Sequence, residues 1–225
     1  SFDDIWTPVS LTLTLAAINT LILLFFGTPI AWWLARSKSR YRELVGAVVA
    51  MPLVLPPTVL GFYLLVALGP NGPGGWIAGF WGGRTLAFSF TGLVIDSFFY
   101  SLPFMVKPLR NGFAAIGNDP LEVASSLGAS DWQRFWRIAV PLARPGYITG
   151  AVMTFAHTVG EFGVVLMIGG NIPGQTKVIA IALYDYVERL QWGEAHVLAL
   201  GMVIVAFVVI AVTLSIDRRV NVPMP

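Results

Sequence analysis

The sequence predicts an all-α polytopic membrane protein, with about five transmembrane helices and short cytoplasmic helices between them. Three observations carry this. Of 225 residues, 56% are hydrophobic and only 12% charged, about half the charged share of an average soluble domain. The apolar residues fall into five runs, at about 9–35, 44–68, 85–106, 145–168 and 195–216, each near or above the roughly 20 residues a helix needs to cross about 30 Å of hydrocarbon. Runs of that length satisfy their backbone in lipid as helices, not as barrel strands. Residues 1–225 therefore read as a single transmembrane domain.

The cations set its sidedness. Arg36, Lys38, Arg40 and Arg42 follow the first run, Lys107, Arg110, Arg134, Arg137 and Arg144 lie between the third and fourth, and Arg218 and Arg219 follow the fifth. Arg84, Lys177 and Arg189 fall on the other side. The excess marks the cytoplasmic face, so the N-terminus is expected outside and the C-terminus in the cytoplasm. A net charge of +2 gives no footing for nucleic acid. No cysteine is present and only two histidines, His157 and His196, so neither a metal site nor a nucleophile-base constellation is expected. The acidic start at Ser1 is unlike a cleavable signal, and the absence of an initial Met leaves room for residues before Ser1.

Between the spans the chain has distinct connectors. Residues 69–84, rich in Gly and Pro with Trp76, Phe80 and Trp81, read as an outer interfacial turn. After a second outer turn, residues 177–192 form a short amphipathic helix. Pro52, Pro56 and Pro57 interrupt the second span, Pro29 bends the first, and Gly160 and Gly163 loosen the fourth. Gly146 and Gly150 are spaced for close helix packing. Asp96 and Glu161 lie inside spans, where an acid is a functional candidate by default. His157, four residues before Glu161, offers it a partner on the same helical face. Candidate pathway groups are Pro56, Thr58, Thr154, Thr158, Gly160 and Glu161.

The polar interruption at 107–144 is expected on the cytoplasmic side. Asp119, Pro120 and Glu122 read as a capped helix start, and Gly128 as a left-handed stop. Ser130 and Gln133 form a second capping box, whose helix places Trp132, Phe135, Trp136 and Ala139 on one face and ends at Pro141. The two helices meet at Gly128 and are suited either to lie in the membrane interface or to receive force from a soluble subunit.

The spacing within this loop is specific. Glu122-Val123-Ala124, Gly128 after three residues and Ile138-Ala139-Val140-Pro141 after nine more resemble the E-A-A-x3-G-x9-I-x-L-P signature of bacterial ABC importer permeases, with Val123 and Val140 as departures. Met51 to Val59, Gly160 to Gly163 and Asn171 to Thr176 are similar to the molybdate branch of that family. The resemblance implies that Glu122, Ala124, Ser125, Gly128, Ala129 and Ser130 couple to an ATPase. It also implies a second copy of the chain, a dimer of cytoplasmic ATP-binding subunits carrying ATP and Mg, a periplasmic or lipid-anchored oxyanion-binding protein and a bacterial inner membrane. This chain would bind no cofactor and catalyse no reaction. Gly169 to Thr176 imitates a phosphate-binding loop, but Gln175 stands where that loop needs Lys, and a membrane helix precedes it instead of a strand. Sulfate, thiosulfate or tungstate are alternative substrates. A proton-coupled carrier built on Asp96, His157 and Glu161 is the alternative of another class.

Overall fold

In a computed structural model, residues 2–220 are described; the expectations placed on Ser1 and on the tail beyond Val220 lie outside them. Among the described residues every regular element is helical. The chain runs α1 (Phe2–Arg36), α2 (Arg42–Ala50), α3 (Pro57–Leu68), α4 (Pro73–Ala78), α5 (Phe90–Ala115), α6 (Asp119–Ser126), α7 (Asp131–Arg134), α8 (Val140–Leu142), α9 (Arg144–Gly160), α10 (Gly163–Gly169), α11 (Ile179–Glu188) and α12 (Trp192–Val220).

Among the described residues two stretches are long and apolar enough to cross a membrane alone: Asp4–Arg36 and Trp192–Ser215. Two broken pairs qualify together. The first, Arg42–Leu53 with Pro57–Leu68, bends by 106° at the proline cluster. Pro57 sits at the first position of α3, where its missing N–H costs nothing. The second, Arg144–Gly160 with Gly163–Gly169, bends by 61°.

Another long helix, α5, has 26 residues and so spans about 39 Å, but its polar residues leave it less apolar than those stretches. Asp96, Ser97 and Ser101 are buried against other helices. A central helix touched by protein on several sides has less need of an apolar surface. It also continues through 107–115, residues the sequence assigns to the loop.

The core forms where α1, α5 and α9 pack together. Leu23, Ala31, Leu34, Met105, Val106, Leu109 and Phe113 are buried in one cluster with Ala139 and Ala143. Trp32, Phe135 and Tyr147 set their rings against Phe113, and the Tyr147 hydroxyl donates to Thr28 Oγ1 at 3.0 Å. The approach of α5 to α9 depends on glycine: a Cβ on Gly146 would stand 2.7 Å from the Pro108 carbonyl oxygen. By contrast α12 leaves Val197, Leu200, Val203, Ile204, Phe207 and Val208 exposed, a surface suited to hydrocarbon.

The connector between α10 and α11 is held by two threonines. Thr176 Oγ1 donates to the Gly169 carbonyl at 2.6 Å and accepts from the Ile172 N–H at 3.0 Å. The apparent phosphate loop is thus a turn closed by its own threonine. Thr12 Oγ1, buried in α1, accepts from the Ile179 N–H at 2.8 Å. It thereby caps α11, whose own N-cap residue, Val178, offers no side-chain acceptor.

A two-helix hairpin and a buried polar seam

The loop between α5 and α9 folds as a hairpin of α6 and α7. Gly128 has φ +85°; its N–H bonds to the Ser125 carbonyl and that of Ala129 to the Ala124 carbonyl, both at 3.0 Å. This closes the end of α6 in the pattern a left-handed glycine permits. The expected capping box of α7 is present in full: Gln133 N–H donates to Ser130 Oγ at 3.3 Å, and Ser130 N–H donates to Gln133 Oε1 at 3.0 Å.

The first helix start differs from expectation. Its N-cap is Asn118, and no side chain caps it. Asn118 has φ −96° and ψ −33°, in the helical region, so its side chain is not aimed at the first amides as that of an extended N-cap would be. Asp119 is already helical, and the Asn118 carbonyl satisfies the Leu121 and Glu122 N–H groups.

The second helix also departs from the sequence reading. A π-helical turn, Phe135–Ala139, follows α7, and the Val140 N–H reaches back to the Phe135 carbonyl. The wider turn separates the four residues expected on one face. Ala139 is buried and Phe135 packs on Trp32, whereas Trp132 and Trp136 are exposed against one another. Pro141 lies inside α8 and does not end the helix; a π turn relaxes the backbone pattern that proline would otherwise break.

The hairpin divides the coupling candidates. Glu122, Ser125, Gly128 and Ser130 are exposed and Ala129 is partly so. Ala124 and Leu121 face inward. Val123 is 60% and Leu127 82% exposed, one turn apart at i and i+4. Leu127 has no place in the sequence signature and Val123 enters it only as a departure, although their spacing beside Leu121 and Ala124 is a signal that the sequence carries.

The pathway candidates also separate. Pro56, Thr58 and Gly160 are exposed. Thr154 and Thr158 are buried in a polar seam between α1, α5 and α9. Asn19 Nδ2 donates to Thr158 Oγ1 at 2.9 Å and to the Ser97 carbonyl at 3.2 Å. Thr158 Oγ1 donates to the Thr154 carbonyl at 2.8 Å, and Ser101 Oγ lies 3.3 Å from it. Asn19 carries no local sequence signal, because its partners are remote in the chain.

His157 and Glu161 do not pair. His157 Nδ1 lies 3.1 Å from Ser101 Oγ, with its ring stacked between Tyr100 and Phe104. The helix ends at Gly160, so the i, i+4 geometry on which the pairing depends is lost. Glu161 Oε1 instead accepts from the Val164 N–H at 2.9 Å and caps α10. Asp96 is fully buried. Among the described residues no group of three or more His, Asp or Glu is placed to hold a metal.

An all-helical, multi-pass membrane chain carrying an exposed hairpin between two core helices has the plan of a transport subunit. The chain belongs to the family of binding-protein-dependent transport system inner membrane components, whose model matches residues 27–222. It is 59% identical to the molybdenum transport system permease protein ModB of Azotobacter vinelandii, over 93% of both chains. To the protein of the same name from Escherichia coli K12 it is 36% identical, over 95% of this chain and 93% of that one. A solved bacterial alginate ABC transporter in complex with its oligosaccharide-bound periplasmic protein shares the fold at 18% identity. Its TM-score is 0.74, covering 96% of this chain and 78% of that one.

Proposed function

We propose that this chain is the membrane permease subunit of an ATP-driven importer that carries molybdate. The observation that supports this most is the 59% identity to a molybdenum permease over nearly the full length of both chains. The hairpin agrees with it. A two-helix unit, stopped by Gly128 and restarted by Ser130, presents Val123 and Leu127 to a partner while Leu121 anchors it in the core and Ala124 lies buried.

The arrangement has α1, the α2–α3 pair, α5, the α9–α10 pair and α12 as five spans, with the N-terminus outside, the C-terminus and hairpin in the cytoplasm, and α11 at the outer face. Two copies enclose one pathway, with the exposed Pro56, Thr58 and Gly160 towards it. Glu122, Ser125, Gly128, Ala129 and Ser130, with Val123 and Leu127, meet an ATP-binding subunit, and Ala124 holds that face in place. ATP and Mg bind to the dimer of those subunits, and ATP hydrolysis takes place there. An oxyanion-binding protein delivers the substrate from outside. ATP-driven closure draws the hairpins together and opens the pathway outward; release returns it inward.

The test is reconstitution in liposomes with the co-purifying ATPase and the binding protein. Molybdate uptake that requires ATP and both partners supports the reading. Uptake by this chain alone, driven by a proton gradient, overturns it in favour of a carrier. Stimulation of the ATPase by sulfate or thiosulfate, and not by molybdate, would replace the substrate while keeping the class.

A further inference from the structure

Lys107 occupies an unexpected position. It lies within α5, eight residues before the end of that helix at Ala115, hence about 12 Å of helix from the terminus. It borders a groove of about 670 Å³ lined also by Leu53, Phe104, Asn111, Thr149 and Met153. Lys107 is exposed, and among the described residues it takes part in none of the ion pairs. Among the described residues no Asp or Glu lines the groove.

Asn111 follows Lys107 by four residues and so shares its helix face, while Thr149 comes from α9 across the groove. An ammonium, an amide and a hydroxyl supply hydrogen-bond donors without an opposing carboxylate. Leu53, Phe104 and Met153 give the groove apolar walls, beside which a single positive charge attracts an anion more strongly than it would in open water. Gly112 and Gly146 lie where α5 and α9 meet, and a Cβ on Gly112 would come within 3.3 Å of the Gly146 Cα.

We propose that Lys107, Asn111 and Thr149 form a transient binding site for a tetrahedral oxyanion in the inner half of the pathway. This rests on the permease reading above. The chemistry suits a free oxyanion dianion or a lipid phosphate, and of these the transported anion is the occupant. Among the described residues the groove carries one cation, so it holds the anion loosely enough to release it.

The test compares wild type, Lys107→Gln and Lys107→Arg in the complete transporter with its ATPase and binding protein. The readout is radioactive molybdate taken up per ATP hydrolysed. Lys107→Gln should lower that yield about tenfold through loss of one charge-assisted contact, and Lys107→Arg should restore most of it. If the wild type transports molybdate and Lys107→Gln matches its yield, the site is overturned and the permease reading stands. If the wild type carries no oxyanion, both fall. The same comparison in pure phosphatidylcholine and with added phosphatidylglycerol separates the two sources of phosphate-like charge. A deficit confined to the anionic lipid assigns Lys107 to a headgroup and overturns the site; an equal deficit in both supports it.

Discussion

The Glu161 carboxylate accepts a hydrogen bond from the Val164 N–H at 2.9 Å, across the break where α9 stops and α10 begins. An exposed water molecule could serve that amide at a protein surface, but in a buried bend the side chain must. Glu161→Gln keeps an acceptor oxygen and should retain assembly and thermal stability. Glu161→Ala removes the cap at a cost of about 1 kcal/mol and should lower the melting midpoint of the purified complex. Equal damage from both variants would mean that charge, not capping, is what the site requires.

Gly128 presents a different kind of constraint. A Cβ there would meet nothing within 4 Å, but its φ of +85° is one that side chains with a branched β-carbon resist. Gly128→Val should strain the hairpin by about 1–2 kcal/mol and uncouple ATP hydrolysis from transport. Gly128→Asn, which tolerates the left-handed region, should stay coupled. The check is the ratio of uptake to hydrolysis; normal coupling and full binding-protein stimulation in Gly128→Val would rule out the hairpin as the transmission element.

Two other glycines should respond in opposite ways to the same substitution. Gly146→Ala drives a methyl to 2.7 Å from the Pro108 carbonyl oxygen, so α5 and α9 must separate; yield of folded protein should fall. Gly160→Ala meets nothing within 4 Å and should express normally. Expression and size-exclusion profiles of the two variants decide the matter, and a well-behaved Gly146→Ala would contradict the packing described.

On α11, Asp185 pairs with Lys177 and, at 3.2 Å, with Arg189. Burial opposes its charge, but Lys177 and then Arg189 outweigh burial and hold the carboxyl below its ordinary 3.8. The unfolded state therefore takes up protons first as pH falls. The stabilisation is complete above 3.8 and is lost as pH drops through the lowered value. Asp185→Asn should melt lower than wild type at neutral pH, and that difference should shrink in acid below the ordinary carboxylate value. A difference independent of pH would exclude the ion pairs as its source.

What the sequence reveals and what it conceals follow from range. The Ser130–Gln133 box and the Gly128 stop depend on a few neighbouring residues and are readable from them. The bend at Pro52–Pro57 is equally local. The Asp119 cap is misread because the backbone at Asn118 is already helical, a property that the capping pattern does not encode. The π turn at 135–139 leaves no mark except Pro141 beyond it. His157 and Glu161 have the spacing of a helical pair, yet the helix stops between them, and the Gly160 and Gly163 flanking the break were the only hint. Thr154 and Thr158 read as pathway hydroxyls until Asn19, far away in the chain, is seen to pack beside them. Lys107 reads as a membrane flank because a cation after an apolar run usually is one; α5 simply continues past it.

The meeting of Gly112 and Gly146 has a mechanical consequence. These residues lie close to the two ends of the segment that carries the hairpin, and there the backbones of α5 and α9 touch with no side chain between them. The hairpin is thus mounted on a clasp, not on two independent legs. A push on the hairpin would therefore bear on α5 and α9 together, and α9 leads on to the bend at Glu161.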